Sequence, residues 1–417
     1  MKRILIAMLI VLALFVVGCS ESAPEQTGES APDTEVEEAL GDFDAILEEA
    51  RGTTVSFYGW GGDENRNAWL SGDVAAYVKE HYDITLEPVG MNIEDILSKL
   101  SGEKAAGSEE GTIDMIWING ENFYSAKENG LLYGPFTEVL PNMEQYIDAE
   151  DPETNYDFGE PIEGYEAPYA KAQIVMYHDT ANSSSFSSHE EFLELVKANP
   201  GKYTYPALPD FTGSAFVRNM IYDVVGWEQF QDMEADYDTV KEAIEPALEY
   251  LRELNPHLWL EGTSFPESST TLDQMFADGE VLMSLSYGPF AVAQGISNGT
   301  FSETTETFVL DKGTIGNTSY MAIAYNAPNK AGAMAVINAI ISGELQLSQY
   351  ENLRELPVVD VTKLSDEELE AFNAVEIGEG VLTQEELLTH RLPEMPARLV
   401  PIIEEIWLQE VVGKVNE

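Results

Sequence analysis

The residues able to do chemistry are few in kind. The chain has one cysteine, Cys19, and five histidines, His81, His178, His189, His257 and His390, none spaced as a metal pair. With a single thiol, no disulfide within the chain can form, and if Cys19 is acylated no cysteine remains for a disulfide, a metal site or catalysis. No Gly-x-Ser-x-Gly elbow, Walker loop or His-Glu-x-x-His helix occurs. Paired carboxylates of the glycoside-hydrolase kind stay open, because acids occur throughout the chain. What remains is recognition chemistry: aromatic faces, amides, hydroxyls and carboxylates. No metal and no cofactor is expected.

Cys19 has a context of its own. Lys2 and Arg3 precede an unbroken apolar run over residues 4–17, and Val16-Val17-Gly18 leads directly to the thiol. A basic start, a short apolar core and small residues before a cut describe an export signal. The cysteine at the junction reads as the acylation site of a lipoprotein, with residues 1–18 removed. Residues 19–49 read as an acidic tether, rich in Ser, Glu, Pro and Ala with little to bury.

Three further segments sit where a strand should hand over to a helix, the usual position of a ligand in an open α/β sheet. Trp60 lies in Gly59-Trp60-Gly61-Gly62, so its ring has little local cover and the Gly61 backbone is bare. Trp117-Ile118-Asn119-Gly120 ends a strand, with Asn119 at the tip. Phe211-Thr212-Gly213-Ser214 opens a helix, offering free amides and hydroxyls. Thr212 and Ser214 could equally serve as caps, and Trp117 as core.

These segments need a scaffold, and the composition supplies the material for one. Hydrophobic residues make up 44%, with 17 Phe, 19 Tyr and 6 Trp, so the chain folds despite 75 acidic against 21 basic residues. A formal charge of −54 excludes nucleic acid as a partner. Either a salt-rich (halophilic) habitat or capture of a cationic solute would account for it. The sequence predicts strands at 53–58, 84–89, 113–118, 172–178, 202–205, 281–286 and 320–325. Helices are predicted at 64–81, 92–106, 188–199, 213–225 and 237–254, and through much of the C-terminal third. Strand–helix alternation of this kind makes an α/β fold with a mostly parallel sheet.

The order of motifs resembles a known family. Gly59-Trp60-Gly61-Gly62, Trp117-Ile118-Asn119-Gly120-Glu121-Asn122-Phe123, Asp210-Phe211-Thr212-Gly213-Ser214-Ala215-Phe216 and Gly313-Thr314-Ile315-Gly316-Asn317-Thr318 follow one another as in solute-binding proteins of ABC importers. The similarity is to members near the polyamine, iron(III) and thiamine binders. It implies a two-lobed type II periplasmic-binding-protein fold with the ligand in a cleft between lobes. Lobe one would be 50–170 plus 319–417, and lobe two 171–318. The resemblance also implies a non-enzymatic monomer that closes over a small solute and presents it to an ABC permease and its ATPase. It draws Glu163, Tyr165, Tyr205, Asp210, Tyr287 and Asn317 toward the cleft beside Trp60, Gly61, Asn119, Phe211, Thr212 and Ser214.

Aromatic faces with nearby carboxylates favour an organic cation, polyamine- or thiamine-like. A neutral sugar stacked on the same rings, with Asn119 and Asn317 bonding its hydroxyls, is a second possibility. Iron(III) is a third, disfavoured by the lack of an adjacent tyrosine pair. An exported carbohydrate-binding protein or hydrolase, or a sensory accessory lipoprotein, are the functional alternatives. Mass spectrometry of the mature protein from its native envelope is expected to find an acylated Cys19 at the N-terminus. An unmodified protein starting elsewhere would remove the lipoprotein reading.

Overall fold

A computed structural model describes residues 43–413; the expected export signal, Cys19 and residues 20–42 of the expected tether lie outside the described residues, while 43–49, also read as tether, form part of a helix whose Ile46 enters the first apolar core. The chain enters through helix Phe43–Ala50 and β1 (Thr54–Gly59). It continues with β2 (Thr85–Gly90), β3 (Met115–Ile118), β4 (Leu132–Tyr133), the short pair β5 (Tyr156–Asp157) and β6 (Glu160–Pro161), and β7 (Glu166–Gln173). Then come β8 (Val175–Asp179), β9 (Met283–Ser286), β10 (Thr305–Phe308), β11 (Thr314–Ala324) and β12 (Arg391–Leu392).

Two main sheets result. The first runs β12-β11-β3-β1-β2, with β4 and β7 also on β11. The second runs β10-β8-β9. In the first, β1 is parallel to both β2 and β3, while β11 returns antiparallel to β3. Two main apolar cores follow. One joins residues between Ile46 and Ala170 to Met321–Leu353, and the other joins residues between Ile174 and Ile315 to Met395–Val411. This is the two-lobed α/β arrangement expected.

The lobes meet where β7 and β11 cross. All eleven residues of β11 are buried. Its start, Ile315, belongs to the second core and its end, Met321–Ala324, to the first. β7 pairs with it from Gly316↔Gln173 to Ala322↔Glu166, with an irregularity at Ser319/Tyr320. Arg391 straps the crossing. Its guanidinium donates to Ala172 O at 2.7 Å and Asn317 O at 2.9 Å, and holds both oxygens of Glu153 at 2.9 Å. A Cβ on Gly316 would come within 2.3 Å of that guanidinium, so only glycine lets it lie flat on the strand.

Several sequence expectations shift. Residues 172–178 are the end of β7 and the start of β8, and 320–325 falls mostly within β11. Residues 202–205 form no strand. Single backbone bonds to Leu282 and Trp259 replace a ladder there, while Tyr203 and Tyr205 point into the core. The C-terminal segment also departs from the proposed division. Met395, Leu399, Ile403 and Trp407 lie in the second core, not the first. Helix Val400–Trp407 turns its apolar face onto that lobe, where Trp407 Nε1 donates to the Tyr205 hydroxyl at 3.1 Å.

Beneath the crossing lie two buried carboxylates. Glu166 is fully buried with neither carboxylate oxygen hydrogen-bonded, and Asp157 accepts from the Gly120 amide. Desolvation raises both well above the ordinary carboxylate range; repulsion adds to it, for Glu166 from Asp157 and for Asp157 from Glu121. The folded chain therefore keeps protons that the unfolded chain has already released, so stability falls as pH rises above the ordinary carboxylate pKa. Glu166→Gln is expected to flatten this decline and raise Tm at neutral and alkaline pH. Thermal unfolding of both proteins across pH 4–9, about the range over which raised carboxylates titrate, checks it. Parallel Tm–pH curves would refute the buried-charge account.

Candidate functional site

The tips of these elements converge on one cleft of 670 Å³. Lobe one contributes Trp60, Arg66, Asn92, Trp117, Asn119 and Asn122, together with Leu353–Glu355. Lobe two contributes Asp210–Thr212, Ser268–Thr270, and residues from Ser286 to Gln294. At its base a further 170 Å³ reaches the crossing strands, lined by Arg66, Trp117, Asn119, Thr212, Asn317 and Glu355 among others.

The glycine turn explains how Trp60 stays available. Gly61 packs against β2 so closely that a Cβ would fall 2.7 Å from Gly90 Cα. The Trp60 ring lies over Gly62, where a Cβ would meet it at 2.3 Å. The indole is thus held in place yet 47% exposed. Asp63 then caps the following helix, accepting from the Asn65 and Arg66 amides at 2.9 and 3.1 Å. That turn places Arg66 in the cleft, with its guanidinium 5.3 Å from the Trp117 ring centroid and paired with Glu355. Glu355 also accepts from Gln349 Nε2 at 2.8 Å.

On the opposite wall Phe211 and Tyr287 pack with centroids 5.0 Å apart. Asp210 is the cap of helix Phe211–Val225: Oδ1 accepts from the Thr212 and Gly213 amides at 3.0 and 2.9 Å. Burial pushes its carboxyl up and these amide bonds oppose the shift. A Cβ on Gly213 would sit 2.2 Å from Pro206 O, which accounts for the glycine within this motif. The Tyr287 hydroxyl donates to Glu394 at 2.7 Å, and Glu394 pairs with the fully buried Arg218 at 3.0 Å. The lobe-two wall is therefore anchored to the interior.

Of the residues expected at the ligand, Trp60, Asn119, Asp210, Phe211, Thr212 and Tyr287 line the main cleft, and Asn317 its base. The others lie elsewhere. Gly61 is spent on packing against Gly90. Glu163 is exposed and paired with Lys127 at 2.7 Å, and Tyr165 stands beside the same lysine. Tyr205 is a core residue stacked on Phe216 and Phe265. Ser214 points away from the cleft, donating to Glu404 at 2.6 Å and accepting from Arg218. Sequence reasoning missed Arg66, Glu355 and Asn122. Arg66 carried the one usable signal: in so acidic a chain, a base beside a glycine-rich turn is the rarer charge.

A profile of bacterial extracellular solute-binding proteins matches residues 28–374. The chain belongs to this family. Protein YnjB of Escherichia coli K12 is 33% identical over 341 residues, covering 80% of this chain and 86% of YnjB. An ABC transporter structure from Clostridium perfringens is 20% identical with a TM-score of 0.61, covering 85% of this chain and 98% of the other. The spermidine/putrescine substrate-binding protein PotD of Streptococcus pneumoniae, solved with calcium and HEPES, is 14% identical with a TM-score of 0.59 and covers 86% and 98%. These two share the fold. The extracellular solute-binding proteins of ABC systems are exported transport components rather than enzymes. No helix among the described residues is long and apolar enough to cross a membrane.

In this solute-binding protein Trp60 contributes little to the core. Trp60→Ala is expected to change Tm by no more than about 2 °C, as surface substitutions away from caps and cores do. A larger loss by calorimetry would make Trp60 a structural residue rather than a free platform.

Proposed function

We propose that this protein captures a small organic solute between Trp60 and Trp117 on one lobe and Phe211 and Tyr287 on the other. The lobes close over the solute and the closed form delivers it to an ABC permease. The observation that carries this reading is the 670 Å³ cleft flanked by aromatic rings on both walls, beside the crossing of β7 and β11. For the moving bodies we propose residues 50–170 with 321–353, and residues 174–315 with 395–411, following the cores. Cys19 acylation would hold the monomer at the extracytoplasmic face of a membrane.

The aromatic set supports an organic ligand more firmly than a cationic one. The two carboxylates expected to take a cation are engaged: Glu163 on Lys127 outside the cleft, Asp210 on two helix amides. Glu355 is held by Arg66 and Gln349. A polyamine would have to displace these partners.

Ligand is expected to shrink the radius of gyration in small-angle scattering and to raise Tm by mass action. Loss of one stacked ring corresponds to about 1 kcal/mol, so Trp60→Ala should weaken binding roughly five- to tenfold. A tight ligand that leaves the scattering profile unchanged would rule out closure, and unaltered affinity in Trp60→Ala would remove the platform.

A further inference from the structure

Resting on the cleft reading above, we infer that the base of the cleft is an oxyanion subsite, built for a carboxylate, phosphate or sulfonate group of the solute around Arg66, Asn119, Thr212 and Asn317.

The first observation is the sign of the unmet hydrogen bonds. Three residues lining the base carry buried polar atoms with no partner: Arg66 Nε, Trp117 Nε1 and Asn317 Nδ2. All three are N–H donors. An N–H group sealed from water without an acceptor is a standing cost, relieved by oxygen atoms and not by an ammonium group. The second observation is the polar side chains kept in reserve. Asn119, Thr212 and Asn317 are 9%, 8% and 5% exposed. Asn119 stands at the start of helix Gly120–Glu128 without capping it, and Asp210 has taken over the capping that Thr212 could have supplied. Each can turn a donor into the cavity.

The third observation is charge. The base is lined by two basic side chains, Arg66 and Lys171, and one acid, Glu355, in a chain with 21 basic and 75 acidic residues. Lys171 is bound to Asp151 at 2.5 Å, which leaves Arg66 as the cation that meets the ligand. Glu355 opposes an anion, but its second oxygen is drawn toward Gln349, and it fixes the guanidinium at the cleft wall. Arg66 stays protonated at every accessible pH: the Glu355 charge raises its pKa against the desolvation that lowers it. A planar fork of donors beside two amides and a hydroxyl matches the several lone pairs of an oxyanion. The aromatic rings farther out would then hold the organic part of the same solute.

The test is calorimetry on the delipidated mature chain in high salt. The probes are inorganic phosphate, citrate, glucose 6-phosphate and taurine, set against spermidine, thiamine and maltotriose. At least one oxyanion is expected to bind with micromolar affinity and to shrink the radius of gyration. Which of the four binds separates phosphate from carboxylate and sulfonate. Arg66→Gln should weaken that probe by roughly 30-fold or more, the scale of a lost charge-assisted pair. Because Arg66→Gln leaves Glu355 unpaired, the double variant Arg66→Gln/Glu355→Gln serves as the neutral control and should lose the same binding. Thr212→Val, remote from the ion pair, should lose about fivefold. If none of the oxyanions binds at millimolar concentration, or if Arg66→Gln binds as tightly as the wild type, the subsite is refuted. Spermidine, thiamine or maltotriose closing the protein without any oxyanion effect would overturn the subsite and leave the solute-binding reading intact. Closure with none of the probes of either class would count against both.

Discussion

The structure depends on a backbone ladder that crosses from one core to the other. β11 is buried along its whole length, so each of its amides and carbonyls must find a partner in protein. β7 and β4 meet that demand on one side, with β3 and β12 on the other. Because the same two strands serve both cores, the two cannot separate without breaking a buried ladder, whose one irregularity lies at Ser319/Tyr320. Arg391 reinforces the second-lobe end of this crossing by taking up carbonyls of both strands. The cleft opens beside the same crossing, which is why Asn317, a residue of the ladder, also reaches its base. Architecture and binding site are consequences of one constraint.

The acid excess acts mostly outside this region. Most acids near the cleft are committed to structure, with the exposed Glu94 left at its rim: Asp63 and Asp210 to helix starts, Glu355 to Arg66, and Glu394 to Arg218 and Tyr287. Capping carboxylates satisfy amides that would otherwise face the ligand, and paired ones hold cations in fixed geometry. Counting acids therefore misjudges the field a ligand would meet. The surface can be strongly negative for reasons of solvation while the cleft base carries the opposite bias.

Much of this was legible in the sequence, and the failures have physical causes. Strand–helix alternation and the exposed Trp60 followed from local chemistry, and the structure places each accordingly. Gly61 misled, because its missing Cβ serves a close approach to Gly90 rather than a ligand. Tyr205 misled because a tyrosine at a strand end looks the same from sequence whether it faces a cleft or a core. Trp407, 202 residues farther along, decided the matter by donating its indole N–H to the Tyr205 hydroxyl. Ser214 misled for the same reason, its partner Glu404 lying 190 residues away. Glu355 and Arg66 were invisible as a pair because 289 residues separate them. Local patterns located the elements, but long-range pairing decided which side chains remained free.

The two walls of the cleft are built to different stiffness, and that asymmetry bears on how closure works. On lobe two, Tyr287 is tied to Glu394, Glu394 to Arg218, Arg218 to Ser214, and Ser214 to Glu404 of the C-terminal helix. The Arg218 links are buried and the two end links part-buried, and breaking the Arg218–Glu394 pair would strand a charge in the interior at about 3–5 kcal/mol. The C-terminal segment thus stiffens the Phe211–Tyr287 wall from behind. On lobe one, Trp60 rests on glycines and faces solvent, and Asn92 begins its helix without capping it. Under the closure proposed above, a ligand would settle first against the braced lobe-two surface, and the Trp60 side would follow. The cost of ordering would then fall mainly on the exposed Trp60 ring, since Arg66 beside it is already fixed by Glu355.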